Sequence, residues 1–317
     1  MNHLYYKNRP IASIDSLARL LCVPPKILVQ VVSRADCYYK PHNQPKKGGG
    51  FREVVSVAAP LKDIQRRIKS RILEHVHYPG YLQGGIKDRN APRDYMANAR
   101  FHVGAKVIIN EDIAQFFPSV SAEQVYAIWM NLFQFPAEIA RYLTALTTWR
   151  GELPQGAATS TYLSNLVLWR DEPGVVEAMQ QHGFKYSRFV DDMTVSSHDK
   201  IDASGKTFIV VTLKKMCNRQ GFALKRNKHR IYSSGKPMLV NNLSVNAKVS
   251  LATRERSKIR AAVFDCENAF KKQLDVKKYR ELYDRTLGRV RMMHRMHRKD
   301  ASALLQRLVR CQPIKDL

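Results

Sequence analysis

Acidic residues are what this chain has least of relative to its need. Its 27 Asp and Glu stand against 53 Lys and Arg, leaving a formal net charge of +26 over 317 residues. A folded protein sustains such an imbalance chiefly when a polyanion neutralises it, which points to nucleic acid first and an anionic membrane surface second. Long apolar runs are also missing: nothing approaches the roughly 20 consecutive apolar residues of a spanning helix, so no membrane association is expected. The N-terminus, Met1 to Tyr6, offers neither an apolar h-region nor a small-residue cleavage site, so no signal peptide is expected. The five cysteines (Cys22, Cys37, Cys217, Cys266, Cys311) lie far apart. They lack the paired spacing of a zinc or redox motif and fit a reduced, cytoplasmic setting. Internal repeats are absent, and only Gln44 to Gly50 approaches low complexity, reading as a mobile cationic turn.

What is present is enough apolar content, 44%, for a substantial core. Ile14 to Leu21 and Lys26 to Ser33 have the spacing of two short helices, broken at Pro24-Pro25. Arg52 to Ala58 alternates like a strand, and Leu61 to His75 carries apolar residues at helical spacing. Val107-Ile108-Ile109 reads as a buried strand running into Glu111-Asp112. Ser121 to Phe133, Pro136 to Thr147, Ala157 to Trp169 and Gly205 to Gln220 read as helices. Lys185 to Val190 and Met193 to Ser197 read as strands that put Asp191-Asp192 at a hairpin tip. Phe222 to Leu224 and Met238 to Val245 read as further short strands. From Lys248 onward the pattern is long and helical, with 19 Lys and Arg against 8 Asp and Glu, an excess suited to gripping phosphate.

Three carboxylates carry the chemistry. Adding a nucleotide to a strand needs a deprotonated hydroxyl, in-line attack on phosphorus and neutralisation of the leaving pyrophosphate, which two divalent ions about 3.5–4 Å apart supply. Magnesium wants oxygen ligands, so strand ends must converge two or three carboxylates while leaving room for phosphate and water. Asp112 and the Asp191-Asp192 pair meet that need if their strands are neighbours in one sheet. Asp-Asp is also an ordinary turn dipeptide, and a single Asp after an apolar strand also serves as a helix cap. Neither motif decides alone.

Three motifs in order change this. The run from Asn110 through Asp112, Phe116, Phe117 and Pro118 to Val120 resembles the first palm motif of reverse transcriptases. Leu153-Pro154-Gln155-Gly156 to Ser160 resembles their nucleotide-binding motif, and Tyr186 to Asp192 resembles their aromatic-x-Asp-Asp hairpin. Asn98 to Ala105 resembles the segment that marks retron enzymes within that superfamily, and Lys62 to Ile68 is similar to their fingers helix. The resemblance runs from about Gly48 to Val245.

The resemblance implies an α+β right-hand polymerase: N-terminal helices and fingers over 1–110 (with 121–160 partly fingers and palm), a palm with an antiparallel sheet over 107–245, and a basic helical thumb over 246–317. It implies that Asp112, Asp191 and Asp192 are catalytic and bind two Mg²⁺ ions, with Mn²⁺ as a substitute and the Ile113 carbonyl completing one shell. Phe117 falls at the steric gate that selects deoxynucleotides; without the motif it reads equally as a core aromatic. Gln155 and Gly156 would line the nucleotide pocket, the glycine through close backbone approach. Arg52 would clamp the triphosphate, and Lys228 would sit by the leaving pyrophosphate, although it also reads as one more surface lysine. Contacts to RNA are expected from Asn98, His102, Val240, Asn241, Asn242, Arg291 and Arg295. His294 and His297 would share a helical face with no third metal ligand, so the helix around Arg291 reads instead as a thumb helix against a duplex minor groove.

Phe189 stands where the family usually has Tyr, Thr161 where Pro usually follows the serine, and Val240-Asn241-Asn242 where retron enzymes carry Val-Thr-Gly. The implied partners are a structured noncoding RNA, dNTPs, the RNA–DNA product (msDNA) primed from a 2′-hydroxyl, and an effector protein of an antiphage defence system. The alternatives are an intron-type or abortive-infection reverse transcriptase, or a catalytically silent RNA-binding scaffold.

Overall fold

The computed structural model describes residues 3–46, 49–88, 90–272 and 275–313. Residues 47 and 48, within the expected cationic turn, lie outside it.

The N-terminal helices form as their apolar spacing predicts, over Ile14–Leu21 and Pro25–Ser33. Ser13 caps the first by accepting from the Ser16 N–H at 3.2 Å, and Pro25 opens the second, where a missing N–H forfeits no helical bond. The two helices bend by 95°, and no single described helix is long and apolar enough to cross a membrane.

The expected strand after the glycine turn runs over Phe51–Val57. Its partner, Tyr39–Pro45, was not legible: it is exposed from Lys40 onward and contains two prolines, which only an edge strand tolerates. Helix Leu61–Arg71 follows and buries Leu61, Ile64, Gln65 and Ile68.

The centre is a five-stranded sheet in the order Leu82–Gln83, Lys185–Phe189, Asp192–Ser197, Val107–Asp112, Arg230–Ser233. Side chains alternate across it. Ile109, Glu111, Tyr186, Arg188, Met193 and Val195 face helices on one side, and all are buried. Asn110, Asp112, Phe189, Asp192 and Thr194 lie on the other, around an open cleft.

Several expected elements differ. Asp192 is the first residue of the returning strand, so the two-residue turn is Val190-Asp191. Met238 to Val245 is a hairpin of Leu239–Val240 and Leu243–Ser244, because Asn241 and Asn242 both take positive φ (48° and 63°), the backbone of a tight type I′ turn. Phe222 to Leu224 contributes a single bridge, Ile113 to Leu224. Helix Glu172–Gln181 was missed.

Three helices, Thr253–Lys271, Val276–His294 and Arg298–Val309, make up the C-terminal part. Their core is continuous with Met96, Ala99, Ala105 and Ile108, and is distinct from the larger core beneath the rest of the chain. The helix ends at His294, and His297 leaves it to accept the Leu251 N–H at 3.0 Å, so the two histidines share no helical face.

Candidate active site

Asp112 and Asp192 are direct cross-strand partners. Like charges in that position repel, and nothing in sheet packing rewards them. The backbone nevertheless fixes them there. The Ile113 N–H donates to the Asp191 carbonyl at 3.0 Å, and the Lys225 N–H donates to the Asp112 carbonyl at 2.8 Å, so main chain from both sides ties the strand end to the hairpin tip. At the tip Val190 takes φ 61°, a left-handed conformation uncommon for a β-branched residue.

Burial and neighbouring charge act together on these acids. The Asp192 carboxyl is pushed up to about 7, first by desolvation and then by Asp191 and Asp112. Asp191 is raised by burial and then by Asp112, with Lys228 and Lys225 pulling the other way. Acidic groups raised by burial and by one another are a candidate functional cluster. Among the described residues no group of three or more His, Cys, Asp and Glu is arranged to hold a metal ion by itself. A transfer site needs no such cage, since magnesium retains waters and takes substrate phosphates as ligands.

The carboxylates open onto a cleft of about 900 Å³. Lys46 and Arg52, at the N-terminal hairpin, line the same cleft, as do Lys225 and Lys228, which act on Asp191. Arg52 is held across its own hairpin, its Nε donating to Gln44 Oε1 at 3.0 Å. Phe117 and Gln155 line the cleft, as does Ile113. Phe117 leans on Phe116, whose ring is buried edge-on against Phe222 at 5.4 Å.

Gly156 needs its missing side chain for a different reason from the one expected. A Cβ there would lie 2.6 Å from the Val55 carbonyl, and the Val55 N–H donates to the Gln155 carbonyl at 2.8 Å. The close approach is to the N-terminal hairpin, which this contact docks beside the cleft.

The expected RNA contacts divide in two. Asn241 and Asn242 line the cleft, and Arg291 is exposed. Asn98, His102 and Val240 are fully buried, so direct contact with RNA is corrected to an internal role for all three. Asn98 donates to Asn241 Oδ1 at 2.6 Å, and His102 bridges two serines. Arg295 pairs with Asp94 Oδ2 at 2.5 Å.

Sequence reasoning missed several supports. Gly84 lies beneath the Phe189 ring, 2.9 Å from where its Cβ would be, and a Cβ on Gly85 would lie only 1.9 Å from the Thr161 methyl. The paired glycines after Gln83 were the available signal. Beneath the sheet, Arg188 forms a bidentate pair with Glu172 at 2.6 and 2.7 Å, both side chains wholly buried. Its remaining guanidinium nitrogen donates to the Val190 carbonyl at 2.9 Å, gripping the Val190-Asp191 turn from below.

Comparison with known proteins agrees with this geometry. Residues 44–249 match the family model for reverse transcriptase (RNA-dependent DNA polymerase). The retron Se72 reverse transcriptase of Salmonella heidelberg is 30% identical over 100% of this chain and 84% of its own length. The chain belongs to the reverse transcriptase family, on its retron branch. The retron Ec48 reverse transcriptase of Escherichia coli is 28% identical over 97% of this chain and 78% of its own. The retron Mx65 reverse transcriptase of Myxococcus xanthus is 26% identical over 79% and 60%. As a retron-type reverse transcriptase the chain is an RNA-directed DNA polymerase with the right-hand polymerase fold, in a family that uses divalent metal ions.

Proposed function

We propose that this chain copies a structured noncoding RNA into DNA that stays joined to that RNA, starting from a 2′-hydroxyl of the RNA. Asp112, Asp191 and Asp192 would hold two Mg²⁺ ions, with the Ile113 carbonyl beside them and Mn²⁺ as a substitute. Those ions, when bound, lower the pKa of the attacking hydroxyl and neutralise charge at phosphorus. The observation that carries this reading is the cross-strand pairing of Asp112 with Asp192, beside Asp191, at the floor of a cleft rimmed by cations.

The chain's own residues do the rest. Arg52 approaches the triphosphate from the N-terminal hairpin, its fork suited to two phosphate oxygens. Lys228 stands on the side where pyrophosphate leaves, supplying a point charge or a proton. Gln155 offers an amide to the incoming nucleotide, and the Phe117 ring fills the space a ribose 2′-hydroxyl would need. In this reading residues 1–110 are N-terminal helices and fingers, 107–245 the palm and 246–317 a thumb whose basic helices follow the duplex. The product, RNA-linked DNA, would hold an effector protein of an antiphage system in check, in the cytoplasm.

Replacing Asp191→Asn together with Asp192→Asn should abolish metal-dependent DNA synthesis while leaving RNA binding within about twofold. Wild-type DNA output from that variant defeats the assignment. Phe117→Ala should admit ribonucleotides, and unchanged sugar discrimination would remove Phe117 from the gate.

A further inference from the structure

The short helix Tyr95–Phe101 and its two caps touch three parts of the molecule. At its start Asp94 caps the helix, accepting from the N–H groups of Met96 and Ala97 at 2.9 and 2.8 Å, and its second oxygen holds Arg295 of the C-terminal bundle. In its middle, buried Asn98 donates to Asn241, whose turn lines the cleft. At its end, His102 lies against the hairpin that carries Asp191 and Asp192.

The last contact is the most specific. Imidazole nitrogens leave the ring on opposite edges, so one neutral histidine can engage two hydroxyls, donating to one and accepting from the other. His102 Nδ1 is 2.7 Å from Ser196 Oγ and Nε2 is 2.7 Å from Ser187 Oγ. Ser187 and Ser196 belong to the two different strands of the hairpin. Both lie on the sheet face that bears Asp192, two and four residues from Phe189 and Asp192. The ring is wholly buried and is kept neutral by desolvation, its pKa lowered to about 3. A neutral, fully enclosed ring clamped between two strands is not placed to touch substrate.

We propose that His102 is a positioning residue for the catalytic hairpin, and that through Asn98 and Asp94 its helix braces that hairpin against the Asn241 turn and the C-terminal bundle. This rests on the reading that Asp191 and Asp192 hold the metal ions. Freeing the two strands lets the tip carboxylates drift relative to Asp112, and misplacement on the order of 1 Å costs about 100-fold in rate.

The test uses the full chain with a generic RNA template annealed to a DNA primer. His102→Phe, which keeps the ring and removes both hydrogen bonds, should lower kcat by about 10- to 100-fold, leave the KM for dNTP within about threefold, and raise the half-saturating Mg²⁺ concentration. His102→Gln, able to restore at least one bond, should recover part of the loss. A residue needed only for folding would lower the active fraction without moving the metal midpoint. If His102→Phe does not fold, Ser187→Ala with Ser196→Ala removes the same bonds at smaller volume cost and should give the same signature. Hydrogen exchange at the amides of 189–192 reads the brace without reference to catalysis, and should quicken in these variants while the sheet centre stays protected. Unchanged exchange at the tip, or kcat and metal midpoint within twofold of wild type in the folded variants, overturns the proposal. A wild-type chain that made no DNA while its variants still showed the exchange effect would count against the metal-site reading alone.

Discussion

Two groups of buried charge lie on opposite faces of the same few strands, and they are built on opposite terms. Beneath the sheet, Arg188 and Glu172 are completely enclosed, yet each satisfies the other, and Tyr186 donates to the same carboxylate at 2.6 Å. Glu172 holds the guanidinium charged against the opposing effect of burial. On the cleft face, Asp112, Asp191 and Asp192 are less deeply enclosed and carry one sign, with Lys225 and Lys228 pulling against the shift from the margin. A paired buried charge completes the fold. A cluster of one sign leaves a deficit that a retained proton or a bound cation offsets.

The largest effect separating the two should come from Arg188→Met, which strands the Glu172 charge and should cost about 3–5 kcal/mol in urea unfolding. Pairing it with Glu172→Met should recover most of that. If the single variant is neutral, the pair is not the keystone described.

Cation binding should show the reverse dependence. Mg²⁺ at about ten times its dissociation constant should stabilise the wild-type chain by about 1.4 kcal/mol. The stabilisation should be greater at pH 8, where Asp192 is ionised, than at pH 5.5, and absent from the Asp191→Asn, Asp192→Asn chain. Equal thermal shifts at both pH values would break the comparison.

A smaller effect has the opposite sign to an ordinary site mutation: Asp192→Asn should stabilise the metal-free chain at pH 8 by on the order of 1 kcal/mol. The raised carboxyl fixes the direction. Below the unfolded value of 3.8 both states are protonated and there is no penalty. From there to about 7 the unfolded chain loses its proton more readily, so stability falls as pH rises, and it levels off above 7. The variant should lose that slope, and a slope that persists would place it on another group.

Much of the cleft was legible because its chemistry needs residue types at fixed places. Asp112 follows a β-branched run and Asp191-Asp192 sits between two strand-like runs, so the sequence placed both near strand ends. It did not show which of the pair begins the returning strand, since that is set by backbone torsion at Val190. Polar residues with internal duties were misjudged. Asn98 and His102 look like surface groups awaiting RNA because the pattern around them is short and mixed, and only the packed structure shows their partners on Asn241, Ser187 and Ser196. The Arg188–Glu172 pair was invisible for a similar reason: 16 residues separate the partners and no local pattern joins them.

Val190 has one more consequence. A left-handed backbone costs a residue with a Cβ roughly 1–2 kcal/mol, a penalty that glycine in the same place would avoid. The hairpin tip is therefore a loaded spring, latched by the Arg188 guanidinium on the Val190 carbonyl and by the Ile113 amide on Asp191. Glycine there would slacken it, trading a firm perch for the tip carboxylates against easier folding.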